Sequence, residues 1–192
     1  MRKMTWGILK RLFNSVTESV LSGGINVIDN SINFRYQKSE RITSLALSYL
    51  SSTHSIPRNE LFLITKGGLL TEDYSQPNSI ETITKKLISD GILSQDEIIG
   101  TSCLNPKFIE FQFESSLVNL GVSSVDLYLL NLPDIRLTKI SKDQLFNELL
   151  VLLEDMLWSV WEEERTWSVV VLWGHSLEWG QSCALTQTFL WL

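Results

Sequence analysis

Three polar side chains stand at the ends of three short apolar runs and are the best candidates for chemistry in this sequence. Asp29, Lys66 and Asn131 each close a run rich in Val, Ile, Leu or Phe. Such runs are typical of buried parallel strands, whose functional sites lie beyond their carboxyl ends. A carboxylate and an ammonium brought together there can form an ion pair. That pair can position the ammonium for a reaction or be a structural salt bridge, and the spacing leaves both interpretations open.

The elements that must position these side chains alternate between strand and helix. Strands are predicted at residues 24–29, 61–65 and 125–130, with one more at 166–173. Helices are predicted from apolar spacing at residues 4–22, from Ser39 as an N-cap to Leu50, and at 80–89, 107–120 and 142–156. This order predicts an α/β fold whose parallel sheet is covered on both faces.

Composition excludes several functional classes. The 192 residues carry 16 Lys and Arg against 22 Asp and Glu, so no basic surface favours nucleic acid as a partner. The apolar stretches are shorter than the ~20 residues that a membrane-spanning helix needs. Two cysteines are too few for a disulfide framework. No metal site is predicted, because four residues lack ligand spacing: His54, His175, Cys103 and Cys183. Cys103 is interpreted as a semi-buried thiol, with a reactive thiol as the alternative.

Both ends of the chain differ from its middle. The first helix is basic, with no acid before Glu18, which allows an organelle-targeting segment; the favoured interpretation is a first helix of the fold in a cytoplasmic protein. Six of the seven tryptophans follow Met156. We therefore predict a domain over residues 1–156 and a Trp-rich tail over 157–192 that arose by a change of reading frame. A Trp-rich binding surface is the alternative.

Three motifs along the chain point to one protein family. The first runs from Gly24 to Asp29 and continues through Asn33-Phe34-Arg35 to Ser39-Glu40-Arg41. The second covers residues 61–68, and the third covers the predicted helix end and strand at residues 113–134. Together these motifs resemble the aldo/keto reductases. The resemblance spans about residues 15–156, with the motifs in the family's order and spacing.

This resemblance implies a (β/α)8 TIM barrel that binds NADP(H) without a Rossmann fold and reduces an aldehyde or ketone to an alcohol. About four barrel strands are expected here, with no counterpart of the family's first strand or of its C-terminal half. The family's catalytic Asp and Lys match Asp29 and Lys66. Its proton-donating Tyr falls on Phe34, and its His falls on Asn131.

These two departures predict an impaired enzyme. Phe34 has no proton to give, and loss of a general acid costs roughly 10²- to 10⁴-fold in rate. Asn131 can still orient a carbonyl through a hydrogen bond. Tyr36, two residues after Phe34, is a weaker candidate for the missing donor. Cofactor-binding residues stay unassigned, because the family's cofactor contacts lie mainly beyond the matched segment.

The predicted function is therefore impaired NADPH-dependent reduction of a small-molecule carbonyl compound. Two alternatives stay open: a non-catalytic relative that binds a nucleotide or a protein partner, and an inactive fragment. An unclosed parallel sheet leaves strand edges unpaired, so we also expect an unstable product or self-association through those edges.

Overall fold

Strands and helices alternate along the chain in the order that the apolar pattern predicts. The computed structural model describes residues 6–75, 79–163 and 170–172. Its four strands are β1 (Val27–Asp29), β2 (Phe62–Gly67), β3 (Leu127–Leu130) and β4 (Val170–Leu172). They form one sheet in sequence order, and every neighbouring pair is parallel. The predicted α/β fold and the partial barrel of four strands are confirmed.

The described ranges contain five α-helices and three short 3-10 helices; the first α-helix precedes β1 and the others connect the strands. The α-helices are α1 (Trp6–Leu21), α2 (Lys38–His54), α3 (Ile80–Ser89), α4 (Pro106–Leu120) and α5 (Lys142–Glu163). The 3-10 helices are Arg58–Glu60, Gln95–Glu97 and Pro133–Thr138. No helix in these ranges is long and apolar enough to cross a membrane.

The start of α2 differs from the prediction. The helix begins at Lys38, so Ser39 lies inside it and is not its N-cap. Gln37 occupies the cap position with φ of 67° and makes no capping hydrogen bond through its side chain. The preceding residues Arg35 and Tyr36 also have left-handed backbone angles, with φ of 53° and 58°. This tight turn brings the chain into the helix earlier than the capping pattern predicts.

The C-terminal segment is described only in part. Helix α5 continues past Met156 to Glu163. Strand β4 falls within the strand predicted at residues 166–173 and pairs with β3. The other residues of the Trp-rich tail, 164–169 and 173–192, lie outside the described residues. The change of reading frame therefore stays a prediction.

The two faces of the sheet have different surroundings. One face packs against α2 and α4 and contributes Leu63, Thr65, Tyr128 and Leu130, each at most 1% exposed, to the core. Residues at the alternate positions face the other side and are exposed or half-buried. The prediction that both faces are covered is wrong for the described residues, because successive strand side chains point to opposite faces and α2 and α4 bury one of them.

Gly67 lies where the Tyr128 side chain crosses β2. A Cβ atom at this position would overlap the Tyr128 hydroxyl oxygen and lie 2.9 Å from Oε1 of Gln112. Burial raises the pKa of Tyr128, and its hydroxyl finds no hydrogen-bond partner among the described residues. The absence of a side chain at Gly67 therefore makes room for this buried phenol.

We expect Gly67→Ala to lower the free energy of unfolding by about 1–3 kcal/mol, the usual effect of overpacking a filled core. Urea unfolding followed by circular dichroism measures this loss. Tyr128→Phe removes the overlapping oxygen, so the double variant should recover part of the lost stability. A Gly67→Ala protein as stable as the parent would contradict this account of the packing.

Candidate active site

Asp29 and Lys66 meet at the carboxyl edge of the sheet, as their positions in the sequence predict. They lie on adjacent strands, since Asp29 is aligned with Ile64, two residues before Lys66. The Lys66 ammonium forms an ion pair with the Asp29 carboxylate and donates to the backbone oxygen of Asn30 at 3.1 Å. The Lys66 side chain is 16% exposed and that of Asp29 is 57% exposed. Two acceptors thus fix the ammonium and leave its third N–H for another group.

The Phe34 ring lies beside this ammonium. Its centroid is 5.3 Å from Nζ of Lys66, within the range of a cation–π interaction. Phe34 is 42% exposed, so part of its ring borders solvent. The ammonium can donate a hydrogen bond to a carbonyl oxygen here, whereas the ring offers apolar contact and no acidic proton.

Asn131 joins the site through a second asparagine. Its Nδ2 donates to Oδ1 of Asn33 at 3.1 Å, and its backbone N–H donates to the Gly67 oxygen at 2.6 Å. Nδ2 of Asn33 donates to the Leu69 oxygen at 2.8 Å. The segments that follow β1, β2 and β3 are thereby held together. One amide N–H of Asn131 is used in this way, and the other is available to donate a hydrogen bond.

Gln112 supports the same edge from α4 and was not predicted as a site residue. It is 2% exposed. Its Oε1 accepts from the Gly68 N–H at 2.7 Å, and its Nε2 donates to the Leu69 oxygen at 2.8 Å. The side chain therefore fixes the backbone two and three residues after Lys66. The sequence feature that could have identified Gln112 is a polar residue on the buried face of α4, one turn after Phe108.

Tyr36 lies in the left-handed turn before α2 and is 50% exposed. Its backbone oxygen accepts from the Tyr74 N–H at 3.4 Å. Within the described part of the chain, the aromatic ring beside the Lys66 ammonium is that of Phe34. A role for Tyr36 as the proton donor stays a prediction.

Cys103 is a buried thiol. It is fully buried, and burial raises its pKa to about 11. The thiolate, which is the reactive form, is therefore scarce at neutral pH. This supports the packing interpretation over the reactive one. His175 and Cys183 lie outside the described residues.

Comparison with known proteins relates the fold to one group of enzymes. No protein-family model matches the chain. No curated protein matches it either. Among solved structures, an aldose reductase from Giardia lamblia matches with a TM-score of 0.50 and 14% identity, over 90% of this chain and 48% of that one. An aldo-keto reductase from Bacillus halodurans in its holo form matches with a TM-score of 0.49 and 17% identity, over 83% and 40%.

The chain thus spans about half the length of these two structures or less. At such low identity a structural match establishes the fold and leaves the chemistry open. The Giardia match covers 90% of this chain, and this chain forms one parallel sheet. The resemblance predicted from three sequence motifs is confirmed at this level: the chain has the fold of part of an aldo/keto reductase barrel.

Proposed function

We propose that this chain is an aldo/keto reductase-type protein that binds NADP(H) and a small aldehyde or ketone at the carboxyl edge of its sheet, and that it reduces the carbonyl poorly. The observation that carries this proposal is the Lys66 ammonium, held by Asp29 and the Asn30 oxygen beside the Phe34 ring. The same edge is where ligands bind in parallel α/β folds.

The residues present fit the reacting end of such a cofactor and its carbonyl partner. NADPH, when bound, would supply the hydride for the carbonyl carbon. The free N–H of Lys66 donates to the carbonyl oxygen and stabilises the negative charge that develops on it. Asp29 keeps the ammonium in place, and the unused N–H of Asn131 orients the same oxygen. Residues that would hold the cofactor phosphates stay unassigned.

The weak step is protonation of the new alkoxide. A positioned general acid contributes roughly 10²- to 10⁴-fold, and the Phe34 ring cannot act as one. Water, or the Lys66 ammonium itself, must give the proton. Phe34 therefore also favours a second candidate function, in which the chain binds the dinucleotide without turnover.

Fluorescence titration of the purified chain with NADPH tests both candidates. We expect saturable binding that Lys66→Met weakens by about tenfold, the effect of losing roughly 1.4 kcal/mol of charge-assisted contact. Loss of the ammonium also leaves the Asp29 carboxylate unpaired near an anionic ligand. Lys85→Met is the matched control, because Lys85 is 74% exposed and pairs with Glu81 within α3.

A second assay separates the two candidates. NADPH oxidation is followed after an aromatic aldehyde is added to the saturated protein. Slow oxidation that Lys66→Met abolishes supports the reductase, and binding without oxidation supports the non-catalytic protein. A chain that shows no saturable binding, or that binds equally well with Met at position 66, would refute the proposed site.

A further inference from the structure

One face of the sheet is apolar and has no helix packed on it among the described residues. We call it the inner face; it consists of Val27, Asp29, Phe62, Ile64, Lys66, Leu127 and Leu129. Val27 is 49% exposed and Phe62 is 42% exposed. Its two charged residues form the ion pair described above. No unpaired charge on this face therefore opposes its burial against another apolar surface.

Both outer strands of the sheet have a neighbour on one side only within the described ranges. β1 pairs with β2, and β4 pairs with β3. The ladder between β1 and β2 uses the Asn26 oxygen, which accepts from Phe62 N–H at 2.7 Å, and the Asn30 N–H, which donates to the Ile64 oxygen at 2.8 Å. Alternate residues of a parallel strand bond to opposite sides, so the backbone groups of Val27 point away from β2. This edge is a template for another strand.

We propose that the chain pairs with a second copy of itself, β4 of each copy against β1 of the other, so that eight parallel strands close around both inner faces. All four described strands run in the same direction, in the order β1-β2-β3-β4. A two-fold axis that coincides with the axis of the closed barrel therefore makes the two junctions, β4 of each copy with β1 of the other, parallel and identical. Eight is the strand number at which a parallel α/β barrel closes with its interior filled by side chains.

The apolar character of the inner face fits this occupant. In a closed barrel Phe62 and Val27 of each copy would pack against the other copy, as barrel interiors require. The two Asp29–Lys66 pairs would then lie on one rim. The proposal depends on strand edges and the inner face alone, so it can fail while the proposed NADP(H) site holds, and the reverse.

Size-exclusion chromatography with light scattering tests the pairing on the full chain. We expect one species of about twice the 22.0 kDa chain mass over a range of concentrations. Phe62→Lys places a charge inside the closed barrel and should raise the dimer dissociation constant at least tenfold. Val118→Lys is the matched control, because Val118 is 81% exposed on α4 and should leave the mass unchanged.

A second variant acts on the strand edge itself. Val27→Pro removes an N–H that points away from β2, and proline is tolerated on an edge strand when that group faces outward. We expect a folded monomer by circular dichroism, and in the parent we expect slow hydrogen exchange at Val27 and Asp29. A monomeric parent, an open-ended series of larger assemblies, or a dimer that neither Phe62→Lys nor Val27→Pro weakens would overturn the proposal.

Discussion

Phe34→Tyr is expected to raise the rate of carbonyl reduction by roughly 10²- to 10⁴-fold, the usual contribution of a positioned general acid. The ring already lies with its centroid 5.3 Å from Nζ of Lys66. A nearby ammonium lowers the pKa of a phenol and so eases proton donation at neutral pH. Because Phe34 is 42% exposed, a new hydroxyl can be hydrated and needs no buried partner. The value of kcat/KM for an aromatic aldehyde with NADPH measures the gain.

Phe62→Tyr is a close control for this variant. Phe62 is also 42% exposed, but it stands at the start of β2, four residues before Lys66. We expect no gain from it, and we expect Lys66→Met to remove the gain from Phe34→Tyr. If Phe34→Tyr binds NADPH and reduces no faster than the parent, the ring does not stand where a reacting carbonyl binds.

The contact between Asp29 and Lys66 could be predicted from the sequence for a simple physical reason. Each residue ends an apolar run, and parallel strands that follow one another bring such ends to one edge. The ion pair in the structure confirms this argument. Strand positions accurate to a residue or two are sufficient for this prediction, because the Lys66 side chain is long enough to reach the neighbouring strand.

The amide contacts of the site could not be predicted in the same way. The bond between Asn131 and Asn33 depends on the backbone of two loops, and short amide side chains tolerate little error in position. The left-handed turn at Arg35 and Tyr36 contains no glycine, the residue that usually signals such angles. Without that signal, capping chemistry predicts the N-cap at Ser39, whereas the structure has it at Gln37.

The buried position of Glu40 also differs from what the sequence predicts. The capping pattern predicts it in the first turn of a helix, where acids are usually solvated. In the structure it is fully buried between α2, α4 and β2. Its Oε1 accepts from the Thr65 hydroxyl at 2.6 Å, and its Oε2 accepts from Nδ2 of Asn119 at 2.9 Å. Helical spacing gave a signal, since Glu40 shares a stripe with Thr43 and Leu47.

Burial raises the pKa of Glu40 above its ordinary value of 4.5. At pH values between the unfolded and folded pKa, the native state holds a proton that the unfolded chain has released. This group's contribution to stability is therefore complete below the unfolded pKa and is lost as the pH rises through the folded pKa. Asp73 has the opposite effect on stability. Burial acts to raise its pKa, but hydrogen bonding, including that from Arg41, outweighs burial and lowers it, so the contribution of Asp73 is lost as the pH falls.

Glu40→Gln should thus stabilise the fold at neutral pH and remove part of its loss of stability with rising pH. The amide keeps an oxygen toward Asn119 and can donate to the Thr65 hydroxyl, which accepts as well as donates.

Glu40→Leu should instead lower the free energy of unfolding by about 2–5 kcal/mol, since it leaves two buried donors without an acceptor. Urea unfolding from pH 4 to 8 measures both effects, with Glu18→Gln on the exposed side of α1 as the control. A difference in stability between Glu40→Gln and the parent that stays constant across this range would contradict this account. The protonation state of the buried carboxyl would then not change on folding. Glu40 would serve only as a fixed hydrogen-bond acceptor beneath the strand that carries Lys66.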